Sequence, residues 1–142
     1  MKKKKAFILV FLLLLISVAT YYFVTAEKKI SQENFTQQGQ TELGAGKISM
    51  KVWDNEAEDG DTIQVFFNGK MIADTLAILN TPIEYKLGNL TKGEYWIGVK
   101  AINEGSSAPA SSSVSLSNGL TEKEFVMDAW VDSAASWKVI IK

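Results

Sequence analysis

From Lys47 to its end, this 142-residue chain alternates apolar and polar residues with a period of two, and that rhythm limits it more than any other feature. Successive side chains of an extended strand point to opposite faces, so such a pattern builds strands with one dry and one wet face. Ile48, Met50 and Val52 alternate with Lys47, Ser49 and Lys51. The same spacing recurs at Ile63/Val65/Phe67, Ile83/Tyr85/Leu87, Tyr95/Ile97/Val99/Ala101, Val114/Leu116, Phe125/Met127/Ala129/Val131 and Trp137/Val139/Ile141. Turn signals separate the runs: Asp59-Gly60, Asn68-Gly69, Gly88-Asn89, Gly93, Gly105 and Asn118-Gly119. Asn-Gly favours a two-residue turn with positive φ at both positions, so a hairpin is expected at Asn68-Gly69 and another at Asn118-Gly119. Met71–Leu79 reads as a strand or a short helix, and Thr81-Pro82 ends it in either case. Seven or eight short strands at this spacing predict an all-β antiparallel sandwich.

The residue types present exclude several chemistries. The chain has fifteen lysines but no arginine, histidine or cysteine. It has no imidazole for acid/base work, no thiol nucleophile, no disulfide and no Cys/His zinc site. Without arginine there is no bidentate fork for phosphate or guanine. Ser-x-x-Lys does not occur, and Gly44-x-Gly46 precedes a strand rather than following one, so neither an acylation motif nor a nucleotide fingerprint is present. The reading is non-enzymatic.

The N-terminus reads as an export signal. Lys2–Lys5 precede an apolar run from Ala6 to Val24. Val24-Thr25-Ala26 places small residues where a signal peptidase cleaves. The competing reading is a retained anchor, since 19 apolar-rich residues at roughly 1.5 Å each span about 28 Å. Residues 1–26 are therefore a signal peptide or membrane anchor, and contact with a membrane is expected only through residues 6–24, if they are kept. Both readings place the remainder outside the cytoplasm: secreted, periplasmic or anchored. Past residue 26, eleven lysines face sixteen acids, a formal charge of −5 that disfavours nucleic acid. Residues 27–43 are polar, with few apolar side chains, and read as a linker or frayed helix; the folded domain is expected over 44–142.

Leu90 to Pro109, Leu-Thr-Lys-Gly-Glu-Tyr-Trp-Ile-Gly-Val-Lys-Ala-Ile-Asn-Glu-Gly-Ser-Ser-Ala-Pro, resembles the late strands of a fibronectin type III or related immunoglobulin-like module. The resemblance implies an immunoglobulin-like β-sandwich in which Tyr95 is the tyrosine corner, its hydroxyl bonding back to the main chain. It also implies that Ala101, Asn103 and Gly105 form a strand end and its loop. Two features depart from that pattern. Leu90 and Tyr95 are one residue closer together than usual, and Leu120–Lys142 extend past the expected last strand. The stretch from Asp59 to Gly69 is similar to small uncharacterised exported bacterial sandwich proteins, which implies an envelope location and no activity.

Two constellations could carry function. Asp54, Glu56, Glu58, Asp59 and Asp61 place five carboxylates within eight residues, between two strands. Calcium takes six to eight oxygens, so these residues are the candidate metal ligands, although the EF-hand order fails because Asp59 stands at the glycine position. The competing reading is a solvated acidic turn. Trp53, Phe66, Trp96 and Trp130 fall on the parity otherwise held by polar residues. Four such aromatics suggest one shared face, for a protein or for sugar rings, unless a neighbouring segment covers them. The expectation is an exported, non-catalytic interaction or adhesion module of the cell envelope, with a protein or polysaccharide partner at the cell surface. The alternatives are a carbohydrate-binding module and a calcium-stabilised structural domain, and no cofactor beyond calcium is expected.

Overall fold

Every alternating run becomes a strand, and two further strands join them. The computed structural model describes residues 11–17, which are helical, and residues 29–142. The rest of the proposed leader lies outside the described residues. Among the described residues no helix is long and apolar enough to cross a membrane. Nine strands follow a short 3₁₀ turn at Gln32–Asn34: β1 (Thr36–Leu43), β2 (Gly46–Asp54), β3 (Asp61–Phe67), β4 (Lys70–Ala77), β5 (Ile83–Leu90), β6 (Gly93–Glu104), β7 (Ala110–Ser117), β8 (Glu122–Ala129) and β9 (Ala135–Ile141).

They form two sheets, of order β1-β9-β6-β3-β4 and β5-β2-β7-β8. All pairings are antiparallel except β1 with β9. The inward positions make the core between them, with Ile48, Met50, Val52, Val114, Leu116 and Met127 facing Ile63, Val65, Ile97, Val99, Val139 and Ile141, all buried. Two stacked ring pairs pack with this core: Phe125 lies on Trp137 at 4.3 Å and Phe67 on Tyr95 at 5.9 Å. The up-and-down course of the strands brings the β2–β3, β4–β5, β6–β7 and β8–β9 connections to one pole.

Four local expectations meet different outcomes. Asn68 and Gly69, at φ 49° and 81°, close the β3–β4 hairpin as read. Met71–Leu79 is resolved as strand rather than helix, since β4 occupies Lys70–Ala77. At Asn118-Gly119 the hairpin exists, but its turn is longer than two residues. Only Gly119 has positive φ, and the Asn118 side-chain oxygen accepts from the Leu120 and Thr121 N–H groups at 3.0 and 2.9 Å, drawing a four-residue loop into a compact turn. Val131 leaves the alternation, because β8 ends at Ala129 and Val131 is half exposed in the turn beyond it.

The linker reading of residues 27–43 is corrected from residue 29 onward. Thr36–Leu43 is an edge strand held by main-chain bonds to β9, and an edge strand need bury little, so its polar composition was no bar; Leu43 alone of its side chains is buried. Gln38 bulges out of register and bonds across to the open edge of β8. Its amide donates to the Asp128 carbonyl at 2.6 Å and accepts from the Asp128 N–H at 3.0 Å. The segment before β1 crosses the outer face of the larger sheet, from an Ile30 N–H bond to the Gly69 carbonyl (2.9 Å) to a Thr36 N–H bond to the Ala134 carbonyl (2.8 Å). On the way Phe35 packs edge-on to Phe66 at 5.4 Å and tilted on Trp96 at 5.1 Å. It sits over Gly98, where a Cβ would lie 2.8 Å from the Phe35 ring and 2.7 Å from Trp96.

Phe35 therefore seals an aromatic pair that the sheet alone leaves open. Phe35→Ala should cost about 2–4 kcal/mol, read as an earlier urea midpoint with an unchanged slope. An unchanged midpoint would mean that the segment lies on the sheet without stabilising it.

Candidate functional site

The four aromatics do not share one face. Phe66 and Trp96 lie together on the outer side of the larger sheet under Phe35, with Phe66 only 1% exposed. Trp53 is on β2, in the other sheet, facing outward beside Ser113. Trp130 follows β8 in a turn whose Trp130 and Ser133 main chains bond to each other, and it is 39% exposed. A continuous stacking strip for a sugar chain is not what this placement offers, because the aromatics lie on three surfaces.

The acidic residues sort differently. Asp54 is the last residue of β2 and carries on the inward parity of Ile48, Met50 and Val52. Asp61 is the first residue of β3, on the inward parity of Ile63 and Val65. Both carboxylates are thus drawn toward the end of the core, and each residue is only 4% exposed. Asp59 reaches them from the connection. One oxygen of each of the three lies within 4.8 Å of the others. Glu56 and Glu58 stand outside the group. Glu56 is exposed and contributes only its N–H, to Asp54 Oδ1 at 2.8 Å, while Glu58 Oε1 accepts from the Asn80 N–H at 2.8 Å.

Main-chain bonds fix the strand ends that carry the triad. The Asp54 N–H donates to the Leu79 carbonyl at 2.8 Å, the Asn55 N–H to the Ser111 carbonyl at 3.2 Å, and the Ile78 N–H to the Asp61 carbonyl at 3.1 Å. The Asp59 Oδ2 atom accepts from the Ser106 N–H (3.0 Å), the Ser106 hydroxyl (3.2 Å) and the Ser107 N–H (2.9 Å), which tie the β6–β7 connection to it. Gly105 makes room for this at φ 57°; a Cβ there would collide with the Asp59 carboxylate.

The cluster is electrostatically incomplete. Asp54 Oδ2, Asp59 Oδ1 and Asp61 Oδ1 are shut off from solvent and, with all three carboxylates ionised, find no donor among their neighbours. Among the described residues no lysine pairs with any of the three. Burial, then the charges of Asp59 and Asp54, then a hydrogen bond its protonated form gives to Asp59 push the Asp61 carboxyl up to about 6, against one bond from the Ser111 N–H that lowers it. At Asp59 desolvation also acts upward, but the bonds from Ser106, Ser107 and Asp61 outweigh it and hold that carboxyl below the usual value. Three converging carboxylates with unmet oxygens can hold a metal ion. Comparison of the chain with family models, with curated proteins and with solved structures returns no match.

A pH dependence follows for the protein freed of metal by a chelator. The folded state binds the Asp61 proton more tightly than the unfolded chain does, so this contribution is complete below pH 3.8 and is lost as the pH rises through about 6. The loss is at most about 3 kcal/mol. Asp59 acts in the opposite direction, and only at more acid pH. Asp61→Asn, a neutral mimic of the protonated acid, should flatten the fall in denaturation midpoint between about pH 4 and pH 7. An equally steep fall in that variant would place the titrating group elsewhere.

Proposed function

We propose that the chain is an exported, non-catalytic interaction module of the cell envelope whose connection-bearing pole is ordered by a calcium ion. The observation that carries this reading is the inward-facing triad of Asp54, Asp59 and Asp61, with an unmet oxygen on each. Calcium suits it because the donors are hard carboxylate oxygens, and carbonyls or water can complete a shell of six to eight. Zinc and copper favour the imidazole and thiolate ligands that this sequence lacks.

Export rests on the basic head Lys2–Lys5 and the apolar stretch Ala6–Val24, which put the domain outside the cytoplasm whether or not the leader is cleaved. Calcium at the concentrations found there would fill a site of moderate affinity. Kinship with fibronectin type III or immunoglobulin-like modules is supported by the Tyr95 hydroxyl, which donates to the Thr91 carbonyl at 3.0 Å. The length beyond the resembling segment is spent on the β7–β8 hairpin, which joins the smaller sheet before β9 returns to the larger one beside β6. A protein partner is favoured over a polysaccharide because the tryptophans are dispersed and the pole carries the exposed apolar groups Leu79, Trp130 and Val131.

Saturating calcium should raise the melting temperature over that in chelator. At about one hundred times the dissociation constant the gain is about 2.7 kcal/mol, or roughly 10 °C for a domain of this size. Asp54→Asn should abolish most of the difference. Identical melting curves with calcium and with chelator would refute the calcium assignment.

A further inference from the structure

Asp59 differs from the other two members of the triad. Asp54 and Asp61 sit at strand ends and are buried, whereas Asp59 lies on the connection and is partly exposed. Its two oxygens serve different neighbours. Oδ2 takes all three bonds from Ser106 and Ser107, and Oδ1 is enclosed without a donor. Gly105 is pressed against the same carboxylate. One side chain of the β2–β3 connection thus anchors a segment more than forty residues further along the chain.

We propose that Asp59 is a clasp through which cation occupancy sets the conformation of the β6–β7 connection, making Ser106–Ala108 a calcium-dependent surface of the pole. The inference rests on the calcium reading above and adds a consequence to it. With a cation between the carboxylates, their mutual repulsion becomes shared attraction, and Asp59 is held with Oδ2 facing the two serines. Without it, like charges within 4.8 Å repel. Asp59, carried by the connection rather than by a strand, is the one that can turn outward, and it does so by giving up its bonds to the serines. Turning out removes three hydrogen bonds from Ser106 and Ser107 together, while the bond from the Gly105 N–H to Asn103 Oδ1 at 3.1 Å stays in place. Ser106, Ser107 and Ala108 are exposed, so any contact made through them acquires the cation dependence.

Amide hydrogen exchange read residue by residue on the full chain, with about 1 mM calcium or with chelator, tests this, with calorimetric titration of calcium alongside. Calcium is expected to slow exchange of the Ser106 and Ser107 N–H groups by about tenfold or more, and to leave Ile97 and Val99 in β6 nearly unchanged. Ser106→Ala should still bind calcium but show weaker protection at Ser107, while Asp59→Asn should lose the calcium effect at both. Calcium binding without added protection at Ser106 and Ser107 would overturn the clasp and leave the calcium reading standing. Absence of both binding and protection would overturn the two together.

Discussion

Each strand of a two-layer sandwich has one face that must be dry, and at Asp54 and Asp61 that face ends in a carboxylate. A buried charge is costly unless it is paired, neutralised or bound to a cation. Hydrophobic alternation aligns β2 and β3 so that their last and first residues point inward at the pole, and Asp59 then completes a group that repels itself. Asp61 can relieve the group by keeping a proton, and a bound cation, calcium in the proposed reading, would relieve it more fully. Proton and cation would compete for one deficit, so in the proposed reading the stability of the domain and the order of the pole depend on the same carboxylates.

At the N-terminal edge the sheet is completed by a strand that buries little. Polar residues of β1 need no core of their own, because β9 supplies main-chain partners and the Gln38 amide closes the gap to β8. Phe35 converts an outward aromatic pair into a packed cluster. The stretch nearest the proposed leader is thus built into the domain from Ile30 onward, and any tether begins close to the sheet.

Much of the fold was legible because alternation is a local signal. Ile48, Met50 and Val52, or Ile97, Val99 and Ala101, reveal their inward face without reference to any partner strand. What escaped depends on distant segments. β1 is unreadable from Thr36–Leu43 alone, since its stability comes from β9, some hundred residues later. Phe66 and Trp96 carry an exposed parity and are covered only because Phe35 returns over them. The acidic run was visible as a cluster, but its sorting was not: parity carried through to Asp54 and back to Asp61 would have separated these two from Glu56 and Glu58. Nothing local points to Ser106 and Ser107, which reach Asp59 through the fold.

The most direct measurement is a crystal structure of the domain grown with calcium, at a resolution that separates an ion from water by its anomalous signal. A calcium-ordered pole requires a peak among Asp54, Asp59 and Asp61 with carboxylate oxygens at about 2.3–2.6 Å. A water or an empty centre at millimolar calcium would contradict it.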